Sequence, residues 1–358
     1  MPNRFISVHQ FTSNLSYGDA ISNDILEIQK TLLRWGYHSE IYGQHVDQKM
    51  TKYFHHFETY KGNSKNIILF HASIGCALFD YIKKLPDKKI LIYHNITPPS
   101  YFEGYNDVLS SLLLQGQTHI RKMQPYVDIA VGDSDFNTRE LIEYGYKNTA
   151  TLPIYVDFKK FDKKNNHHLL AELCKDDTKN VLFVGRFSPN KCQHDIIKAF
   201  YIYKNHFEPN SRLILIGNHN GVELYMAQLK KLVSLLHLED SVVFSGHVSL
   251  DDLVTYYRAA HLFLSMSEHE GFMVPLLESF YFNVPVLAYE AGAVPETLGN
   301  AGITFKEKKY EKVAQSMDSL IRDESLRNTV LQKQQERLKD FFQKRVEEKL
   351  QKILCQLQ

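Results

Sequence analysis

Two glutamates and two cations carry most of the chemistry this sequence can express. Glu270 and Glu278 are separated by seven residues, among them Gly271, Phe272 and Pro275. Arg186 and Lys191 stand in Val184-Gly185-Arg186-Phe187-Ser188-Pro189-Asn190-Lys191, with four residues between them. Arginine offers a planar fork of donors and lysine a compact point charge. Such a pair suits a diphosphate leaving group, whose charge grows as the bond to it breaks. Pro275 fits the first turn of a helix, where its missing N–H costs nothing. The unsatisfied N–H groups of that helix make an anion site. Glu278 is then expected in the first turn, beside a bound phosphate, and Glu270 on the approach to it. A nucleotide diphosphate carrying a sugar fits that layout: phosphates at the helix start, one carboxylate on ribose hydroxyls, the other near the sugar.

The surrounding pattern must supply elements that hold these groups. Before Glu270, the apolar run His261–Ser265 reads as a buried strand. Leu276, Leu277 and Phe280 point the following helix inward. Strand candidates in the first half are Arg4–Val8, Glu40–Tyr42, Asn66–Phe70, Lys89–Tyr93 and Val127–Val131. A helix with Ile21, Ile25, Ile28 and Leu32 on one stripe follows the loop Leu15–Asp19 and ends at Gly36. Strands recur at Asn180–Val184, Leu213–Ile216, Val242–Phe244, Leu262–Leu264 and Pro285–Ala288. Alternating strands and helices predict an α/β chain with doubly wound parallel sheets. Ligands bind such sheets at the carboxyl ends of the strands, which draws attention to His9, His71, His94 and Asp133-Ser134. The polar, lysine- and asparagine-rich run Lys159–Asn180 marks a domain boundary. From about Glu324 the pattern is helical, with Leu338, Phe342, Val346, Leu350 and Leu354 stepping by four. Packing on its own protein is the reading for that stripe, with a membrane or partner helix as the alternative.

Composition excludes several classes. The chain has 358 residues, which suggests two domains, and 42 basic against 41 acidic residues give no charge for nucleic acid. Cys76, Cys174, Cys192 and Cys355 form no CxxC pair, which suits a reducing compartment. The N-terminus lacks the apolar core of a signal peptide, and no apolar run approaches the roughly 20 residues of a membrane span. A cytoplasmic protein is expected, in peripheral contact with the inner membrane face at most. Asp133-Ser134-Asp135 has the spacing of a metal-binding D-x-D, but Asp135 reads better as the cap of a helix.

The stretch Glu270-Gly271-Phe272-Met273-Val274-Pro275-Leu276-Leu277-Glu278 resembles the E-G-F-G-x-P-x-x-E motif of family 4 retaining glycosyltransferases, which have the GT-B architecture. Met273 stands for the second glycine and Asn283 for the glycine before Pro285. Ala291-Gly292-Ala293-Val294-Pro295-Glu296 matches the family's G-x-x-E loop, and the Arg186–Lys191 segment its G-R-x-x-x-x-K-G element, with Cys192 for the last glycine. The specific resemblance covers roughly 180–302.

The resemblance implies two Rossmann-like domains facing a cleft: an acceptor-side domain at 1–165, a donor-binding domain at 175–338, and a C-terminal helix at 339–358 returning to the first domain. It implies Arg186, Lys191, Gly18 and the backbone of Gly271, Phe272 and Met273 on the diphosphate, Glu278 on ribose, and Val248, in Gly246–Leu253, at the base. Glu270 and His94 would engage the sugar in catalysis. No metal or other cofactor is implied. The expected reaction moves a hexose, of mannose or glucose type, from a GDP- or UDP-sugar to a saccharide or lipid-linked acceptor, in bacterial polysaccharide or glycolipid assembly. The alternatives are an epimerase or phosphorylase of the same architecture, or a non-catalytic nucleotide-sugar-binding subunit.

Overall fold

A computed structural model describes residues 7–357. The chain divides into two compact units. Unit 1 comprises the described residues up to Ser100, Val108–Asp157 and those from Phe341 on; unit 2 comprises Tyr101–Asp107 and Phe158–Asp340.

Unit 1 is built on a seven-stranded parallel sheet. Its strands are β1 (Val8–Leu15), β2 (Ile41–Val46), β3 (Phe54–His56), β4 (Ile67–Ala72), β5 (Lys88–Tyr93), β6 (Ile129–Gly132) and β7 (Thr149–Thr151), in the order β3-β2-β1-β4-β5-β6-β7. Unit 2 holds six strands: β8 (Lys179–Val184), β9 (Ser211–Ile216), β10 (Val242–Gly246), β11 (Leu262–Ser265), β12 (Val286–Tyr289) and β13 (Ile303–Phe305). Their order is β10-β9-β8-β11-β12-β13, again all parallel. Central strands such as Ile67–Ala72 are buried along their whole length, as a sheet covered by helices on both faces demands.

In each sheet the chain winds outward one way, then restarts on the other side of the first strand. The restart lies between β1 and β4 in unit 1 and between β8 and β11 in unit 2. Loops leaving adjacent strands diverge there, which opens a crevice at the carboxyl ends. The loop after β1 carries Gly18; those after β8 and β11 carry Arg186, Lys191 and Glu270.

Several expectations move. Of the strand expected at Arg4–Val8, Arg4–Ile6 lie outside the described residues, and the described strand β1 runs on from Val8 to Leu15. Its buried polar residues His9, Gln10 and Thr12 hid it from a hydropathy reading. His9 consequently sits near the amino end of β1, not at a ligand-binding end. There it packs against His38, Tyr42 and Tyr60, and burial, with His38 beside it, lowers its pKa to about 4. Ser134, not Asp135, caps the helix Asp135–Glu143, accepting from Asn137 N–H.

The C-terminal pattern breaks as well. One helix, Glu324–Leu338, belongs to unit 2, and a second, Gln343–Cys355, to unit 1. Phe342 at the break is 45% exposed. Val346, Leu350, Ile353 and Leu354 join the core formed by Val8, Ile28, Leu32, Leu69, Ile90 and Ile129. The apolar stripe is therefore spent inside unit 1. Among the described residues no helix is long and apolar enough to cross a membrane.

Candidate functional site

In unit 2 the loops after β8 and β11 are laced together. Asn190 is the buried stitch: its side chain accepts from Ser188 Oγ at 2.7 Å and donates to His269 O at 3.1 Å, while its carbonyl accepts from Glu268 N–H at 2.8 Å. Lys191, the next residue, therefore meets Glu270, with Nζ 2.5 Å from Oε2. The glutamate side chain is 6% exposed and the lysine 22%. Behind Glu270 lies Gly292, in the left-handed region at φ +54; a Cβ there would meet Glu270 O at 2.4 Å. Ala293 N–H donates to that same oxygen at 2.9 Å. Thr297 Oγ1 binds Phe272 O at 2.8 Å. The 291–297 segment thus acts as a back wall that fixes the Glu270–Phe272 backbone.

The helix Val274–Tyr281 follows. Its start at Met273 has no side-chain cap, and Pro275 is its second residue. Its first N–H groups lack intrahelical acceptors and face the loop, giving a site for an anion. Leu276, Leu277 and Phe280 are fully buried and anchor it. Glu278 is the fifth helical residue, one turn further in than expected, and 7% exposed. Its Oε2 accepts from the hydroxyl of Tyr257 at 2.7 Å, and Tyr257 is itself fully buried. This bond orients the carboxylate. The exposed Arg186 is steered by its NH2 donating to Asn220 O at 3.0 Å. Val248 is half-buried in the turn after β10.

Gly18 and His94 belong to unit 1. Gly18 is exposed at φ +79 just before Asp19, which caps the helix Ala20–Arg34 by accepting from Ser22 N–H. His94 follows β5 and its side chain is 1% exposed. Its Nε2 lies 2.9 Å from His71 Nδ1, and its Nδ1 3.4 Å from Asp133 Oδ2. His71 and His94 stack nearly parallel.

Residues 164–337 match the family described as Glycosyl transferases group 1. Over that stretch, just under half of its length, the chain is similar to this family. Among individual relatives, the N-acetyl-alpha-D-glucosaminyl L-malate synthase of Bacillus anthracis is 28% identical over 223 residues, which cover 61% of this chain and 56% of that protein. The capsular polysaccharide biosynthesis glycosyltransferase CapM of Staphylococcus aureus is 25% identical over 206 residues, covering 53% and 50%. The chain therefore spans about half the length of these curated relatives. Among solved structures, HepE of Anabaena, crystallised in complex with UDP and glucose, superposes with a TM-score of 0.76 at 16% identity, covering 98% of this chain and 100% of that one. That likeness establishes the fold, GT-B, with one parallel sheet in each unit.

Against the family pattern, the three positions where this chain replaces glycine are informative. Cys192, Met273 and Asn283 all keep positive φ, at 52, 73 and 55°. The loop shapes that glycine usually makes are thus retained, at a strain of about 1–2 kcal/mol per non-glycine residue. Met273 is buried at 6% exposure.

Two side-chain groups approach metal-ligand spacing among the described residues, and neither suits an ion. Asp24, His71 and His94 converge, but the two imidazole nitrogens are 2.9 Å apart, a hydrogen-bond distance; two ligands of a tetrahedral ion with bonds of about 2.0 Å lie about 3.3 Å apart. Beside Cys192 and His194, Asp195 is already matched by Lys308 at 2.8 Å and by the Tyr310 hydroxyl at 2.6 Å. Burial raises the Cys192 thiol to about 11, and its Sγ lies against Pro189 O.

Sequence reasoning missed Asn190, Tyr257 and Thr297. Asn190 lay inside a recognised motif at a variable position. Tyr257 sits 21 residues before the glutamate it holds, so no local spacing marked it.

Proposed function

We propose that this protein is a retaining glycosyltransferase that moves a hexose from a nucleotide diphosphate sugar to an acceptor hydroxyl in bacterial polysaccharide or glycolipid assembly. The observation that carries the reading is the Lys191–Glu270 pair at the start of the Val274–Tyr281 helix, at the switch point of a parallel sheet. Arg186, Lys191 and the backbone of Gly271, Phe272 and Met273 hold the diphosphate, and Glu278, braced by Tyr257, binds ribose. Val248 borders the base by its main chain. Gly18 and His94 are unit 1's contributions to donor handling.

Donor binding on this account is an exchange of partners. The β-phosphate draws Lys191 from Glu270, and Glu270 turns to the sugar hydroxyls. The bond from the sugar's anomeric carbon to the β-phosphate oxygen breaks as the acceptor oxygen bonds to the same face of that carbon. The acceptor's proton passes to the departing phosphate oxygen. Charge accumulates on the diphosphate, where Arg186 and Lys191 stabilise it without a metal. The relatives' names, a capsular polysaccharide glycosyltransferase among them, support the acceptor class. Mannose or glucose is the sugar type, with GDP or UDP as carrier and mannose from GDP-mannose preferred. The site of action is cytoplasmic, with peripheral contact to the inner membrane face.

A radiolabelled-donor assay over GDP- and UDP-hexoses, with and without EDTA, tests this. Transfer that persists in EDTA and falls at least tenfold in Glu278→Ala is expected. Activity that EDTA abolishes, or that ignores Glu278, would contradict it.

A further inference from the structure

The polar cluster at the carboxyl ends of β4, β5 and β6 contains enough hydrogen bonds to place the protons from Gln10 through His71 to His94 Nε2. Gln10 Nε2 donates to Ile25 O at 2.8 Å, so its Oε1 must be the atom facing His71 Nε2 at 3.0 Å; flipping the amide would set two oxygens together. An amide oxygen only accepts, so His71 Nε2 carries the hydrogen. His71 is then neutral only if its Nδ1 is bare, and a bare Nδ1 must accept from His94 Nε2–H at 2.9 Å. This leaves His94 Nδ1 buried 3.4 Å from Asp133 Oδ2, in ion-pair range but with no hydrogen bond of its own. Beside an ionised Asp133 a bare lone pair there would be repelled, whereas an N–H is attracted. Asp133 is already tied to Asn137, whose amide donates to Oδ1.

We propose that Gln10, His71 and Asp133 are positioning residues that hold His94 as a doubly protonated imidazolium, its Nε2–H committed to His71 and its charge paired with Asp133, which lies within ion-pair distance of Nδ1. His94 then contributes a fixed positive charge rather than a switching acid or base, or a free N–H for a sugar hydroxyl. This rests on the functional reading only in giving His94 a part in donor handling.

The charges around His94 agree. Burial alone would lower its pKa, but Asp133, with Asp24 on the helix Ala20–Arg34 and Asp19 before it, outweighs burial and raises it. His71 is driven well below its ordinary value by burial and by His94. No other titratable group contributes among the leading causes, so the opposing set is Asp133, Asp24 and Asp19 against His71.

The test is long-range 1H–15N spectroscopy of histidine-labelled full-length protein across pH, with signals assigned through His71→Gln and His94→Gln. Expected are a His71 that stays neutral with hydrogen on Nε2, and a His94 with both nitrogens protonated that titrates above the ordinary value of about 6.5. A His94 titrating at or below that value, or a His71 carrying its hydrogen on Nδ1, would overturn the assignment. In Asp133→Asn the His94 titration should fall below the ordinary value, and the alkaline limb of the kcat/KM profile should move down with it. A profile lowered in height but unmoved along the pH axis overturns the positioning role. Expected spectra in a protein without transferase activity would instead leave the assignment standing and reject the function.

Discussion

In unit 2 the four charged side chains come from two loops and one helix start, within 186–191 and 270–278, which leave the neighbouring strands β8 and β11. In unit 1 the buried polar cluster takes Gln10 from β1, Asp24 from a helix, His71 from β4, His94 from the loop after β5 and Asp133 from the loop after β6. One site is written in short spacings and the other in topology. The difference also concerns charge. Unit 2 pairs a lysine that is 22% exposed with a glutamate, which an incoming anion can separate. Unit 1 seals its charges beneath the surface, where each needs a partner.

Five perturbations probe this contrast, beginning with the strongest. Lys191→Ala should lower turnover by at least tenfold and up to about 10²–10³-fold, the range for losing one preorganised electrostatic contact to a developing charge. Steady-state kinetics at saturating donor would show it. Next, Leu350→Ala, in the unit 1 core, should destabilise by about 2–5 kcal/mol in denaturant unfolding, because a fully buried leucine leaves a cavity. An effect below about 1 kcal/mol would mean that the Gln343–Cys355 helix is not part of that core. Tyr257→Phe removes the hydroxyl that braces Glu278; a hydrogen bond to a charged group is worth about 1.5–3 kcal/mol, so the donor KM should rise about tenfold or more while kcat changes less. Equal losses in both would point away from ribose binding.

The pH response should separate the units as well. Burial raises the Asp24 carboxyl from 3.8 to about 7, ahead of the opposing pull of His94. Between those values the folded state binds more protons than the unfolded chain, so this group's contribution to stability falls as pH rises from about 4 to 7. Asp24→Asn should flatten that fall in a series of melting temperatures, leaving the variant relatively more stable at pH 8 than at pH 4. A parallel curve for the two proteins would remove Asp24 from the account. The smallest change is Met273→Gly: relief of a left-handed methionine, about 1–2 kcal/mol, offsets much of the cost of losing a buried side chain, so denaturant unfolding should show a net loss of no more than about 2 kcal/mol, with nucleotide affinity kept.

How much was readable follows from the same contrast. Arg186, Lys191, Glu270 and Glu278 stand on motifs of at most nine residues, and the strands that lead into them carry unbroken apolar runs, Val181–Val184 and Leu262–Leu264, so both spacing and element could be read. In unit 1, β1 mixes buried His9, Gln10 and Thr12 with Phe11, and no periodicity separates such a strand from a loop. The edge strands β3, β7 and β13 have three residues each, too few for any pattern. The stepping by four through Leu338, Phe342 and Val346 continued across a real break, because a short 3-10 turn at Lys339–Phe341 preserves nearly the same spacing. Contacts such as His71 with His94, 23 residues apart, depend on which strands become neighbours.

The most direct test of the central claim is calorimetric titration of GDP, UDP and ADP into the full-length protein in EDTA, repeated with Lys191→Ala. The account predicts that one nucleotide binds without metal and that the variant loses at least tenfold in affinity for it. Binding by none of the three, or binding that EDTA abolishes or Lys191→Ala leaves untouched, would contradict it.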